Sequence, residues 1–154
     1  ANAAQAATDV MRYFDQAAPL HHLDEEEQVF PIALAQGSGA VQAAVKALQH
    51  DHGAMAEEWA SLRAALQAWT DPAAAQALRS PQSSQTLALI AFADRYRAHI
   101  AVEESVVYPC VEALLAPQAL EAMGRAMGQR RGAASPNGVL LSSKPKGLRA
   151  AGLK

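Results

Sequence analysis

The chain has 154 residues, 51% of them apolar, with three Phe, three Tyr and two Trp. That length supports one domain with a real core, and an Ala-rich composition sparse in glycine and proline points to helices rather than a sandwich or barrel. No run of about 18 apolar residues occurs and no signal peptide is visible, so no membrane span is expected.

The net charge of −2 hides an asymmetry. No acidic residue follows Glu121, whereas seven basic ones do, so the rest of the chain carries six basic and fifteen acidic residues. An acidic body of this kind is a poor nucleic-acid binder and a reasonable host for a buried cation. The lone Cys110 rules out an intramolecular disulfide and favours a reducing, cytoplasmic compartment.

In chain order, Val10, Tyr13, Phe14 and Ala17 repeat at helical spacing. Pro19 interrupts and is expected to kink or break the helix near Ala18. The pattern resumes at Leu20 and continues past Pro31 to about Ala35. Gln36-Gly37-Ser38-Gly39 signals a turn. A second helix is expected from about Ala40 to Trp69, with Val41, Val45, Leu48, His52, Met55, Trp59, Leu62 and Leu66 stepping by three or four. Asp71-Pro72 starts a short helix to Leu78. Ser80-Pro81 starts a long one from about Gln82 to Leu115, with Leu89, Phe92, Tyr96, His99 and Glu103 along one face. Pro117 opens a shorter helix to about Arg131. The expected domain is therefore an all-α, up-and-down helical bundle over 1–131, with three long helices and a shorter C-terminal one. Residues 132–154 read as a flexible basic tail.

One eleven-residue pattern occurs twice, His21 to Pro31 and His99 to Pro109. Each copy is a His, three residues, two adjacent Glu, three residues, an aromatic and a Pro. Residues four apart share a helix face, so His21 and Glu25, and likewise His99 and Glu103, are placed to bind one metal ion or two side by side. His22 and Glu26 are the alternative in the first copy; matching the prolines favours His21 and Glu25. The two prolines are expected to bend their helices just past the site, or to end them there. In the second helix, His52 continues the stripe of Leu48, Met55 and Trp59 and should face the core, whereas His50 falls off it. Three imidazoles and two carboxylates in a core are costly unless a cation compensates them. Mixed nitrogen and oxygen donors suit iron, manganese or zinc better than calcium or magnesium. A lone tetrahedral zinc needs fewer ligands than are offered.

With H-H-L-D-E-E-E-Q-V-F-P at 21–31, D-H-G-A-M at 51–55 and H-I-A-V-E-E-S-V-V-Y-P at 99–109, the sequence resembles the hemerythrin and HHE cation-binding family over roughly residues 1 to 131. The resemblance implies a hemerythrin-like antiparallel four-helix bundle around a non-haem di-iron centre, with histidine terminal ligands, two bridging carboxylates and an oxygen bridge. Carried over by motif, His21, His52 and His99 are metal ligands, and Glu25 and Glu103 are the bridging carboxylates. One departure stands out. Family members begin with a helix bearing another His ligand, and Asn2 to Met11 contain none. The sequence therefore reads as lacking the first ligand helix, which would leave one iron a protein ligand short.

The expected function is that of a hemerythrin-like iron protein that binds dioxygen or another small oxidant, or that senses oxygen, redox state or iron. Nucleic acid and membrane are not expected partners; a homodimer is compatible with the sequence. A di-iron oxidoreductase acting on peroxide or ferrous iron is the alternative from the enzyme class, although no nucleophile or substrate pocket is evident. A metal-free helical interaction module is the other. Beside these, Glu26, Glu27 and Glu104 are expected to be solvated or to support the ligands. His22 and His50 are expected at the surface. Tyr96 and Trp59 are read as core, Trp69 as a helix-end residue and Cys110 as a small buried residue.

Overall fold

The computed structural model describes residues 3–71 and 84–130. Among these residues there is no strand, and the helices fall into four rods. Helix α1 runs over 3–36, α2 over Gly39–Trp69, α3 over 84–114 and α4 over Pro117–Arg130. The expected helix to Leu78 and the 132–154 tail lie outside the described residues.

The α1–α2 turn is set by two small residues. Gly37 takes an extended conformation, and a Cβ there would collide with the Ala33 carbonyl and sit 2.8 Å from Val41 Cγ1. Ser38 follows as N-cap, its hydroxyl accepting from Val41 N at 3.3 Å. The connection leaves α1 and α2 antiparallel, and α3 then lies against both. At the same end of the bundle Leu115 turns extended, and Pro117 starts α4.

Of the two outcomes expected at the prolines, distortion and termination, termination does not occur. α1 is not broken at Pro19 or ended at Pro31, and α3 is not ended at Pro109. A five-residue π-helical turn precedes each: Tyr13–Ala17, Glu25–Val29 and Glu103–Val107. Ala18, Phe30 and Tyr108, the residues just before the prolines, donate their N–H five residues back, to the carbonyls of Tyr13, Glu25 and Glu103. A proline cannot donate to the carbonyl four residues back and its ring crowds that carbonyl. The wider turn absorbs both faults locally, and the rod continues.

Three apolar clusters hold the bundle. The largest joins Val29, Phe30 and Ala33 of α1, Val45 and Leu48 of α2, Val107, Tyr108 and Val111 of α3, and Met123 and Met127 of α4. Toward the opposite end, Met55, Leu62, Phe92 and Tyr96 form a second, with Tyr13, Phe14 and Trp59 packed on it. Ala7, Met11 and Leu66 form a third. α4 reaches only the first of these, where Arg130 pairs with Glu27 and lies 3.5 Å from the buried carboxylate of Asp24. Between the large cluster and the other two lies a layer of histidines and carboxylates.

Candidate metal centre

Four side chains of this layer are buried: Glu25 on α1, His52 on α2, and His99 and Glu103 on α3. Each stands where its helix's apolar stripe demands a core residue. His52 follows Val45 and Leu48 and precedes Met55; His99 follows Phe92 and Tyr96. Glu25 and Glu103 each open a π-turn, and each is followed by the same buried set, Val29 and Phe30 in one copy, Val107 and Tyr108 in the other. The doubled motif is thus a doubled packing unit.

One ligand atom from each of Glu25, His52, His99 and Glu103 falls within 4.8 Å of the others. His52 Nε2 and His99 Nε2 are 3.2 Å apart. The Glu25 Oε2 oxygen is 3.3 Å from His52 Nε2, and Glu103 Oε1 is 2.5 Å from His99 Nε2. The other oxygen of each carboxylate points elsewhere. Glu25 Oε1 and Glu103 Oε2 lie 3.4 and 4.0 Å from His21 Nε2, and both accept from the Tyr108 hydroxyl, the Glu103 bond being 3.2 Å long. Each carboxylate therefore turns one oxygen toward the His52–His99 pair and one toward His21 and Tyr108.

The outer nitrogens orient the rings. His52 Nδ1 donates to Glu26 Oε1 at 2.9 Å, and Gln49 donates to the other Glu26 oxygen at 2.7 Å. His99 Nδ1 is 3.5 Å from Asp51 Oδ2, and Asp51 lies 3.7 Å from Arg95, which also holds Glu58 at 2.9 Å. With Nδ1 turned to a carboxylate, the Nε2 atom of each ring faces inward.

Burial and the nearby Glu103 charge push the Glu25 carboxyl up to about 10. Glu103 moves the other way: burial opposes its charge, but the hydrogen bond and charge of His99 outweigh that and hold it below the usual range. The two acids thus settle as one protonated and one ionised group. Burial lowers His52 against the opposing pull of Glu26. His22 falls to about 3, first through burial and then through its neighbours His52, His21 and His99. Burial and the two carboxylates raise Tyr108, which stays a donor.

Of the residues singled out by sequence, Glu25, His52, His99 and Glu103 meet in one cluster. His21 stands at its edge with 31% of its side chain exposed. His50 and Glu104 are exposed, as expected, and Glu27 is exposed and bound to Arg130. Glu26 supports His52. His22 departs from its expected surface position. It stacks on His52 at 4.1 Å and 16° between ring planes, and one of its ligand atoms falls within 4.8 Å of those of His52 and His99. A signal for it existed in the stripe Ala18, His22, Glu25 and Val29, but matching the two prolines favoured its neighbour. Tyr108 and Asp51, read only as motif filler, were missed as supports.

A cation fits this donor set on the chain's own geometry. His22 Nε2 and Glu25 Oε2 are buried without a hydrogen bond, and Glu103 Oε1 meets the protein only at His99 Nε2, 2.5 Å away. The short His52–His99 approach brings two ring nitrogens together beside the carboxylates. Buried acceptors converging in this way are costly unless a positive charge sits among them.

An all-helical bundle whose inward faces gather imidazoles and carboxylates defines a cation-binding helical domain. The particular family follows from comparison: the model of the hemerythrin HHE cation-binding domain matches residues 1–111, and the chain belongs to that family. It is also 31% identical over 122 residues to a Haemophilus influenzae protein described as uncharacterized. That match takes in 79% of this chain and 66% of the relative, so the chain spans just under two thirds of that relative's length. No solved structure matches.

Proposed function

We propose that the domain binds a pair of iron ions and uses them to take up dioxygen, or to sense oxygen, redox state or iron. The carrying observation is the two-sided presentation of Glu25 and Glu103, one oxygen of each toward His52 and His99 and one toward His21. Carboxylates so turned suit two cations side by side better than one. In this reading His21, His52 and His99 hold the ions, and Glu25 and Glu103 span them. An iron pair would supply a redox-active position for dioxygen or another small oxidant.

The chain's own residues prepare that position. Glu26 and Asp51 fix the ring orientations of His52 and His99, and Tyr108 ties the two carboxylates to each other. The apolar clusters on either side keep bulk water from the layer, while half-buried His21 leaves one edge for a small ligand to enter. None of the described helices is long and apolar enough to cross a membrane. In this reading the partner is a small oxidant.

Anaerobic loading of the full chain with ferrous iron tests this reading. Two irons per chain, with an absorption band that changes on admitting oxygen, are expected. His99→Ala and Glu103→Ala should lower the iron content. A wild-type chain that retains no iron after desalting would sink the proposal. Rapid turnover of peroxide or ferrous iron above a free-iron control would move it to the oxidoreductase class. Ligand imidazoles must be neutral, so iron should leave as pH falls through their range, about 6.5 for a free imidazole.

A further inference from the structure

We infer that His22, not His21, supplies the third imidazole of the cation held by His52 and His99, and that His21 serves a second and weaker position, so that cations load one after the other. The inference rests on the metal-binding reading above and redistributes its ligands.

The observations concern the two adjacent histidines of α1. The His22 ring lies parallel to His52 at 4.1 Å and 5.9 Å from the His99 ring. Its Nε2 atom is buried and makes no hydrogen bond. Ligand atoms of His22, His52 and His99 come within 4.8 Å of one another, and so do those of Glu25, His52, His99 and Glu103. These two sets share His52 and His99. A cation held by those two rings therefore has a third imidazole and two carboxylates within reach. His21 belongs to neither set. Its Nε2 faces the remaining carboxylate oxygens at 3.4 and 4.0 Å, and its side chain is 31% exposed.

The two positions differ in kind. Three imidazoles with carboxylate oxygens, held in a dry layer, favour a first-row divalent ion strongly. One half-exposed imidazole with two shared oxygens holds a second ion more weakly. The second position also depends on the first, because an ion at His52 and His99 fixes the carboxylates that the second one needs.

Cobalt(II) titration of the metal-free full chain separates these roles, read by bound metal after equilibrium dialysis and by the visible bands of the ion. Wild type should take one tight equivalent and then a weaker one. His22→Phe, which keeps a flat ring against His52, should weaken the first equivalent by at least about tenfold. His21→Phe should leave the first within about twofold and remove the second. His50→Phe, at an exposed position, should change neither. If His21→Phe abolishes the tight equivalent while His22→Phe spares it, the assignment is wrong. Should His22→Phe fail to fold by circular dichroism, X-ray absorption of His21→Phe at one equivalent decides: three imidazoles around the ion support the inference and two overturn it. Wild type that binds no cobalt would overturn the metal-binding reading along with this one, whereas tight binding indifferent to His22 overturns this one alone.

Discussion

Glu25 and Glu103 occupy the same place in the two copies of the motif, yet their neighbours make them opposite acids. Glu25 lies near His21 and His52, but burial and the Glu103 charge hold it protonated, whereas the hydrogen bond and charge of His99 hold Glu103 ionised. In the metal-free protein Glu25→Gln, which imitates the protonated group, should therefore cost less than about 1 kcal/mol, while Glu103→Gln should cost about 1–3 kcal/mol. Urea unfolding of the two variants checks this. Their pH responses should differ as well. A His22 value near 3 in the fold, against about 6.5 unfolded, means that stability is intact above 6.5 and falls as pH drops toward 3. Glu25 works in the reverse sense: the stability tied to its raised value is full below about 4.5 and is lost as pH rises toward 10. The urea midpoint of metal-free protein should thus decline on both sides of weak acidity. His22→Phe should flatten the acid limb, and Glu25→Gln the alkaline one. At this scale the sequence showed which residue types converge, because period and spacing place His52, His99, Glu25 and Glu103 inward. It did not separate His21 from His22. Neighbouring residues lie about 100° apart on a helix, and only packing against His52 decides which ring is drawn in.

The long helices were legible from their stripes and turn residues, and their bounds fall within a few positions of those expected. What sequence rules left open was how the chain accommodates the prolines. Pro19, Pro31 and Pro109 follow the rule that a proline spoils the turn before it, but the fault is absorbed by one widened turn each time. No simple period announces such a turn, since it adds a residue without changing the residue types around it. In the Glu25–Val29 turn it lets Glu25, Val29 and Phe30 all face inward. Removing Gln28 should restore ordinary winding and rotate His21 to Glu25 by about 100° against Phe30 and Ala33. Helix content by circular dichroism should then stay near that of wild type while cobalt binding is lost. Unchanged binding would show that the widened turn has no part in aiming Glu25.

Across the whole molecule, α4 fastens one half of the bundle only. Arg130→Ala removes the guanidinium from Glu27 and from buried Asp24 and should cost about 1–3 kcal/mol, read as a lower thermal midpoint. The remaining asymmetry lies in the cores. Among the described residues, ten buried ones gather on the α4 side of the polar layer, against four and three in the clusters beyond it. Without an ion, that layer is a seam across which few apolar contacts transmit cooperativity. Amide hydrogen exchange of the metal-free chain should then show two protection classes, slow around Val45, Leu48 and Val107 and faster around Met11, Leu62 and Phe92. An ion bound by α1, α2 and α3 together would stitch the seam, and the two classes should merge into one opening event. The bundle would then report metal occupancy as a change in how many pieces it comes apart in.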